Sequence, residues 1–211
     1  MNSLTEFLFS QYKGYSALHI VLEAIAVVFG IISVVYSKKN SILLYPAALV
    51  SSLIYVYLLW VWQLYGDLII NGYYFYMGIY GWVLWGKNSE NDIERLKITV
   101  MSRKDYLMSI SIFIISIIFV SVIYIRFDMF THWWAAIDTV MTGLLFAGTW
   151  LLAKRKLENW LFLIAGDIIA IPLFYLKGYT LTSILNLFLT LIAILGYLEW
   201  KKALPPKKLL Q

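Results

Sequence analysis

Cysteine is absent from the 211 residues, which excludes a disulfide framework, thiolate metal sites and a cysteine nucleophile. Histidine occurs only as His19 and His132, outside any HExxH zinc pattern, and there is no phosphate-cradling Gly-rich loop and no GxSxG elbow. An enzyme would have to work from Glu23, Asp138, Asp167 or the two histidines, without nucleophile or metal geometry around them. Neither catalysis nor a cofactor is therefore expected. Met1–Gly14 lacks a short apolar h-region with a small-residue cleavage site and has one basic residue, Lys13, so the first apolar segment should serve as its own targeting signal. Charge is also scarce. Asp, Glu, Lys and Arg make up 14% of the chain, against about 25% in soluble domains.

What is abundant is apolar surface: 62% of residues are hydrophobic, more than an ordinary core needs. About 20 mostly apolar residues cross a bilayer as a helix, and lipid leaves no alternative partner for backbone N–H and C=O groups. Seven such segments are present: Ala17–Tyr36, Ile42–Trp62, Leu68–Trp85, Tyr106–Ile125, Trp133–Ala153, Trp160–Leu176 and Tyr179–Trp200. The predicted class is an all-α membrane protein with seven transmembrane helices in one domain spanning 1–211. Tyr and Trp crowd the segment ends, as headgroup-level anchors do.

The net charge of +5 belongs to the loops, which argues for membrane orientation rather than nucleic-acid binding. The loops after the first, third and fifth segments, with the C-terminal tail, hold fourteen basic residues, among them Lys38, Arg95, Lys154 and Lys207; the opposite side holds Lys13, Arg126 and Lys177. Basic loops face the cytoplasm, so the C-terminus is expected inside and the N-terminus outside a bacterial-type inner membrane. The stretch 86–105 reads as a solvated cytoplasmic linker.

A fixed offset of 115 positions lays Glu23 on Asp138, Tyr45 on Trp160, Asn71 on Asn186, Gly81 on Gly196 and Trp85 on Trp200. Residues 17–85 and 133–200 then form a duplicated three-helix unit, with 106–125 as connector. Each element recurs four helices later, an even number, so the copies enter the membrane in the same direction. Transporters use such repeats to hold solute near the midplane.

Glu23, Asp138 and Asp167 are acids inside apolar segments, a costly placement reserved for bundle interiors and wet cavities. Glu23 and Asp138 read first as groups that tie helices together. Asp167 stands alone, opposite Ser52 in the repeat, and shares a helix face with Trp160 two turns earlier. Trp150, beside Ala147, Gly148 and Thr149, offers an indole for stacking on a flat heterocycle. Asn71, Asn186 and Gln63 add neutral hydrogen-bonding groups, for which an interhelical bond is at least as good a reading as a ligand contact.

The run from Trp150 to Glu158-Asn159-Trp160, followed by Asp167, Lys177-Gly178-Tyr179 and Gly196-Tyr-Leu-Glu-Trp200, with Asp138 and Thr142 before it, resembles the PnuC family of vitamin transporters. The resemblance implies 3+1+3 parallel repeats like those of the SWEET sugar carriers, a homotrimer, and facilitated diffusion without ATP or a coupling ion. It implies nicotinamide riboside as substrate, trapped afterwards by a cytoplasmic kinase. The family's helix-6 motif, Asn-Trp-x-x-Trp-x-x-x-Asn, appears here as Asn159, Trp160, Leu163 and Asp167, so one indole is replaced and one acid gained. An acid suits a cation, and both nicotinamide riboside and thiamine are cations; a non-transporting scaffold or receptor is the rival from another class. The candidate substrate-binding residues are Trp150, Asn159, Trp160, Asp167 and Asn186.

Overall fold

The computed structural model describes residues 15–87, 97–128, 130 and 132–204. The N-terminal stretch with Lys13, the middle of the linker with Arg95, and the tail with Lys207 and Lys208 lie outside the described residues. Seven α-helices are present among the rest: α1 Ala17–Lys38, α2 Leu44–Val61, α3 Tyr65–Lys87, α4 Arg103–Arg126, α5 Trp134–Ala153, α6 Asn159–Leu176 and α7 Thr180–Lys202. Six are long and apolar enough to cross a bilayer, which makes this a multi-pass membrane protein. α3 is just as long but carries Asp67, Asn71, several glycines and tyrosines, which lower its hydropathy.

Local chemistry sets the helix ends. Ser16 caps α1 by accepting from the His19 N–H at 3.2 Å. Ser102 and Asp105 form a reciprocal capping box at the start of α4, satisfying two otherwise orphaned donors. Short turns join α1 to α2 and α5 to α6, each with one left-handed residue, Asn40 and Arg155, both at φ 51°. The α2–α3 and α6–α7 turns do the same through Gln63 (φ 60°) and Gly178 (φ 83°). Each of these two turn pairs is separated by 115 positions.

Packing divides the helices into a triplet α1–α2–α3, a triplet α5–α6–α7, and α4, which leans on α5 through Val120, Ile123, Tyr124 and Ala135. The triplets meet along two seams, α1 with α7 and α3 with α5. Helices without a hydrophobic driving force between them need close packing and polar contacts. Ser51 of α2 donates to the Ala26 carbonyl of α1 at 2.8 Å, and Tyr73 of α3 donates to the Phe146 carbonyl of α5 at 2.9 Å while its ring stacks on Phe146.

One end of the bundle is closed by aromatic residues. Tyr45 meets Trp85 edge-on, with centroids 5.1 Å apart at 88°. Trp160 meets Trp200 in the same way, at 5.5 Å and 87°. The indole N–H groups of two of these rings cross the seams in opposite senses: Trp85 donates to the Ala153 carbonyl at 3.0 Å and Trp200 to the Ser37 carbonyl at 3.1 Å. Close approach of α7 to α6 requires glycine at 196, where a Cβ would come within 2.6 Å of the Trp160 indole. Gly81 bears the same relation to the Tyr45 ring.

The linker is not solvated throughout. Ile98 is 6% exposed and belongs to the same core as Tyr45, Trp85, Trp160 and Trp200. It is held there by backbone pairing to the α5–α6 turn, a non-local partner that composition does not reveal.

Candidate functional site

Two cavities lie along the bundle axis. The first, of about 370 Å³, is lined by every helix except α4. Its volume falls in the range of about 300–1,000 Å³ usual for small-molecule sites. α6 lines it with Trp160, Leu163 and Asp167, and α2 faces them with Tyr45, Ala48 and Ser52. Tyr74 and Asn71 of α3, Leu145 and Thr149 of α5, and Leu185 and Leu189 of α7 complete much of the wall.

The Trp160 side chain is fully buried, held edge-on by Trp200 and backed by the surface of Gly196, so its orientation is set before any solute arrives. Asp167 is 8% exposed and is the only Asp, Glu, Lys, Arg or His among the lining residues of this chamber. No described residue gives its carboxylate a hydrogen bond or an ion pair. An acid so placed in a largely apolar compartment is poised for a cation or a hydrogen-bond donor.

The second cavity, of about 630 Å³, lies toward the end holding the α2–α3 and α6–α7 turns. It is more polar, with Glu23, Asp67, Asp138 and Lys177 in its wall. Asp138 accepts from the Tyr124 hydroxyl at 2.8 Å and pairs with Lys177 at 2.5 Å, so one carboxylate joins α4, α5 and the end of α6. That is the tying role expected of it. Tyr55 and Asn71 line both cavities and form the waist between them.

Of the five candidate residues, Trp160 and Asp167 come together in the chamber wall. Trp150, Asn159 and Asn186 line neither cavity. The reason is helical phase. Each residue turns about 100° from its predecessor. Trp150 follows Thr149, Asn159 precedes Trp160 and Asn186 follows Leu185, so each sits one position off a chamber-facing stripe. Asn159 is buried and donates to the Lys156 carbonyl at 2.6 Å. Asn186 donates to the Thr182 carbonyl of its own helix at 2.8 Å, as Asn71 does to Asp67 at 3.0 Å. The wall residues that residue-type reasoning passed over are Tyr45, Ser52 and Tyr74. The signal for two of them was available, since the 115-residue offset maps Tyr45 onto Trp160 and Ser52 onto Asp167.

A helical bundle enclosing a solute-sized chamber, with an aromatic wall and one carboxylate, defines a multi-pass membrane protein of the transporter class. The family described as nicotinamide mononucleotide transporter matches residues 20–202. The chain belongs to that family. It is 22% identical over 205 residues to the nicotinamide riboside transporter PnuC of Escherichia coli (strain K12), covering 85% of this chain and 84% of the relative; the protein of that name from Shigella flexneri matches equally. A crystal structure of the vitamin B3 transporter PnuC has the same fold, with a TM-score of 0.64, 20% identity, and coverage of 96% of this chain and 92% of that one.

Proposed function

We propose that this protein imports nicotinamide riboside by facilitated diffusion through the Trp160–Asp167 chamber. The observation that carries the reading is the lone carboxylate of Asp167 in an aromatic wall. Nicotinamide riboside offers a flat pyridinium for Trp160 and for the rings of Tyr45 and Tyr74, and its positive charge complements Asp167. The absence of Lys, Arg and His from the lining residues favours the riboside over its mononucleotide, whose phosphate would enter without a cationic partner. Thiamine is the second reading. Leu163 stands in the chamber wall where the family motif has a second indole, and the acid suits a thiazolium equally well.

The same proposal takes α1–α3 and α5–α7 as parallel repeats, in the 3+1+3 arrangement of the SWEET carriers, with all seven helices crossing the membrane. Three sets of positions 115 apart support it. The left-handed turn residues correspond, the edge-on aromatic pairs correspond, and the chamber is lined by corresponding residues such as Tyr45 with Trp160 and Ser52 with Asp167. The basic residues favour a cytoplasmic location for the end with the aromatic closure and the C-terminus. Assembly as a homotrimer and trapping by a cytoplasmic kinase come with the family resemblance.

Counterflow tests the function. Proteoliposomes preloaded with nicotinamide riboside should accumulate labelled riboside, and mononucleotide should not compete. Exchange of thiamine alone would replace the substrate. Exchange of no vitamin would favour a scaffold or receptor.

A further inference from the structure

Residues 97–101 form a strap beneath the chamber's aromatic floor. Thr99 pairs with Lys156 in a parallel bridge, its N–H donating to the Arg155 carbonyl at 3.1 Å and its carbonyl accepting from the Leu157 N–H at 2.9 Å. The Met101 N–H donates to the Glu158 carboxylate, with both oxygens within 3.0 Å. Lys156 reaches the Thr99 hydroxyl and pairs with Asp105, each at 3.0 Å. These contacts drive Ile98 into a cluster that contains Leu44, Tyr45 and Trp85 from one triplet and Trp160, Ala193 and Trp200 from the other. Tyr45, Trp160 and Ala193 also line the chamber, so Ile98 lies on the opposite face of its floor.

We propose that this strap is the latch of the chamber's closed end, with Ile98 as the side chain that holds the two halves of the floor together. Glu158 immediately precedes α6, so its carboxylate couples the latch to the helix that carries Trp160 and Asp167. Glu158 is thus a positioning residue, acting on solute through α6. A strap that merely stabilised the fold would change melting temperature but not the side from which the chamber is reached. The inference rests on the transport reading for its consequence, but its test needs no solute.

The chain has no cysteine, so a single Ser52→Cys reports access to the chamber wall without background. A membrane-impermeant maleimide is applied to right-side-out and inside-out vesicles. In the parent the reporter should react from the face that holds the second cavity, here the vestibule face, and slowly from the strap face. Ile98→Ala should speed strap-face labelling about tenfold, the factor for a modest shift between closed and open populations, and leave the vestibule face unchanged. Glu158→Ala, which spares Ile98, should move it the same way by about threefold. No acceleration in either variant, or equal acceleration from both faces, overturns the latch.

A second arm cross-links the strap with Thr99→Cys and Lys156→Cys. Neighbouring strands lie about 4.7–4.9 Å apart, within the span a disulfide tolerates. Oxidation should stop solute exchange and a reductant should restore it; undiminished exchange through a fully oxidised pair would also overturn the proposal. If the parent exchanges no vitamin, the transport reading fails, and the labelling arm still decides the latch.

Discussion

The indole of Trp160 rests edge-on against Trp200, with centroids 5.5 Å apart, and between them they fix one wall of the chamber from behind. Trp160 thus combines this packing role with the stacking role proposed for it, and substitution separates the two. Trp160→Ala removes a fully buried indole and should cost about 3–5 kcal/mol of stability. Trp160→Phe keeps a ring face and should bind solute far better than the alanine variant. Calorimetric titration of both, alongside melting curves, checks this. Unweakened binding by a folded alanine variant would remove the stacking role.

Asp167→Asn tests the charge. Hydrogen bonds to charged groups contribute about 1.5–3 kcal/mol, so affinity for a cationic vitamin should fall about tenfold to a hundredfold. A neutral analogue, such as the reduced riboside, should lose little. Equal losses for both would mean that the carboxylate shapes the chamber rather than reading charge.

Glycine 196 has a clear steric assignment. Gly196→Ala should destabilise by about 1–3 kcal/mol, because the new methyl must displace the Trp160 indole or push α7 away from α6. Gly81→Ala should act alike through Tyr45. Thermal unfolding in detergent measures both, and an unchanged melting temperature would show that the packing there is looser than described.

The Lys177–Asp138 pair should couple strongly. Lys177→Met alone leaves Asp138 with Tyr124 as its other described partner and should cost about 1–3 kcal/mol, below the figure for fully buried pairs since Lys177 keeps 21% side-chain exposure. Adding Asp138→Asn should recover part of that loss. Strict additivity in the double-mutant cycle would show that the ion pair contributes nothing beyond its parts.

Much of the architecture was legible because lipid makes backbone satisfaction a length rule. All seven helices begin and end within a few residues of the apolar segments, with α3 starting earlier, at Tyr65, and ending later, at Lys87. The site was legible only in part. Trp160 and Asp167 share a face through their spacing of seven, which is a property of the chain alone. Trp150, Asn159 and Asn186 stand out by their chemistry, and chemistry carries no helical phase. Which stripe of α5 or α7 faces inward depends on neighbours from the other triplet. Ile98 shows a similar limit: nothing in its charge-rich stretch signals that its partners lie on α2, α3, α6 and α7 and in the α5–α6 turn.

The two indole bonds at the floor, from Trp85 to Ala153 and from Trp200 to Ser37, each begin in one triplet and end in the other. A shift of one triplet along the other strains both bonds together, whereas a hinge at one seam spares the bond there and breaks its twin. Opening that end therefore requires the loss of at least one indole bond, and the side on which the bond is lost sets which seam parts.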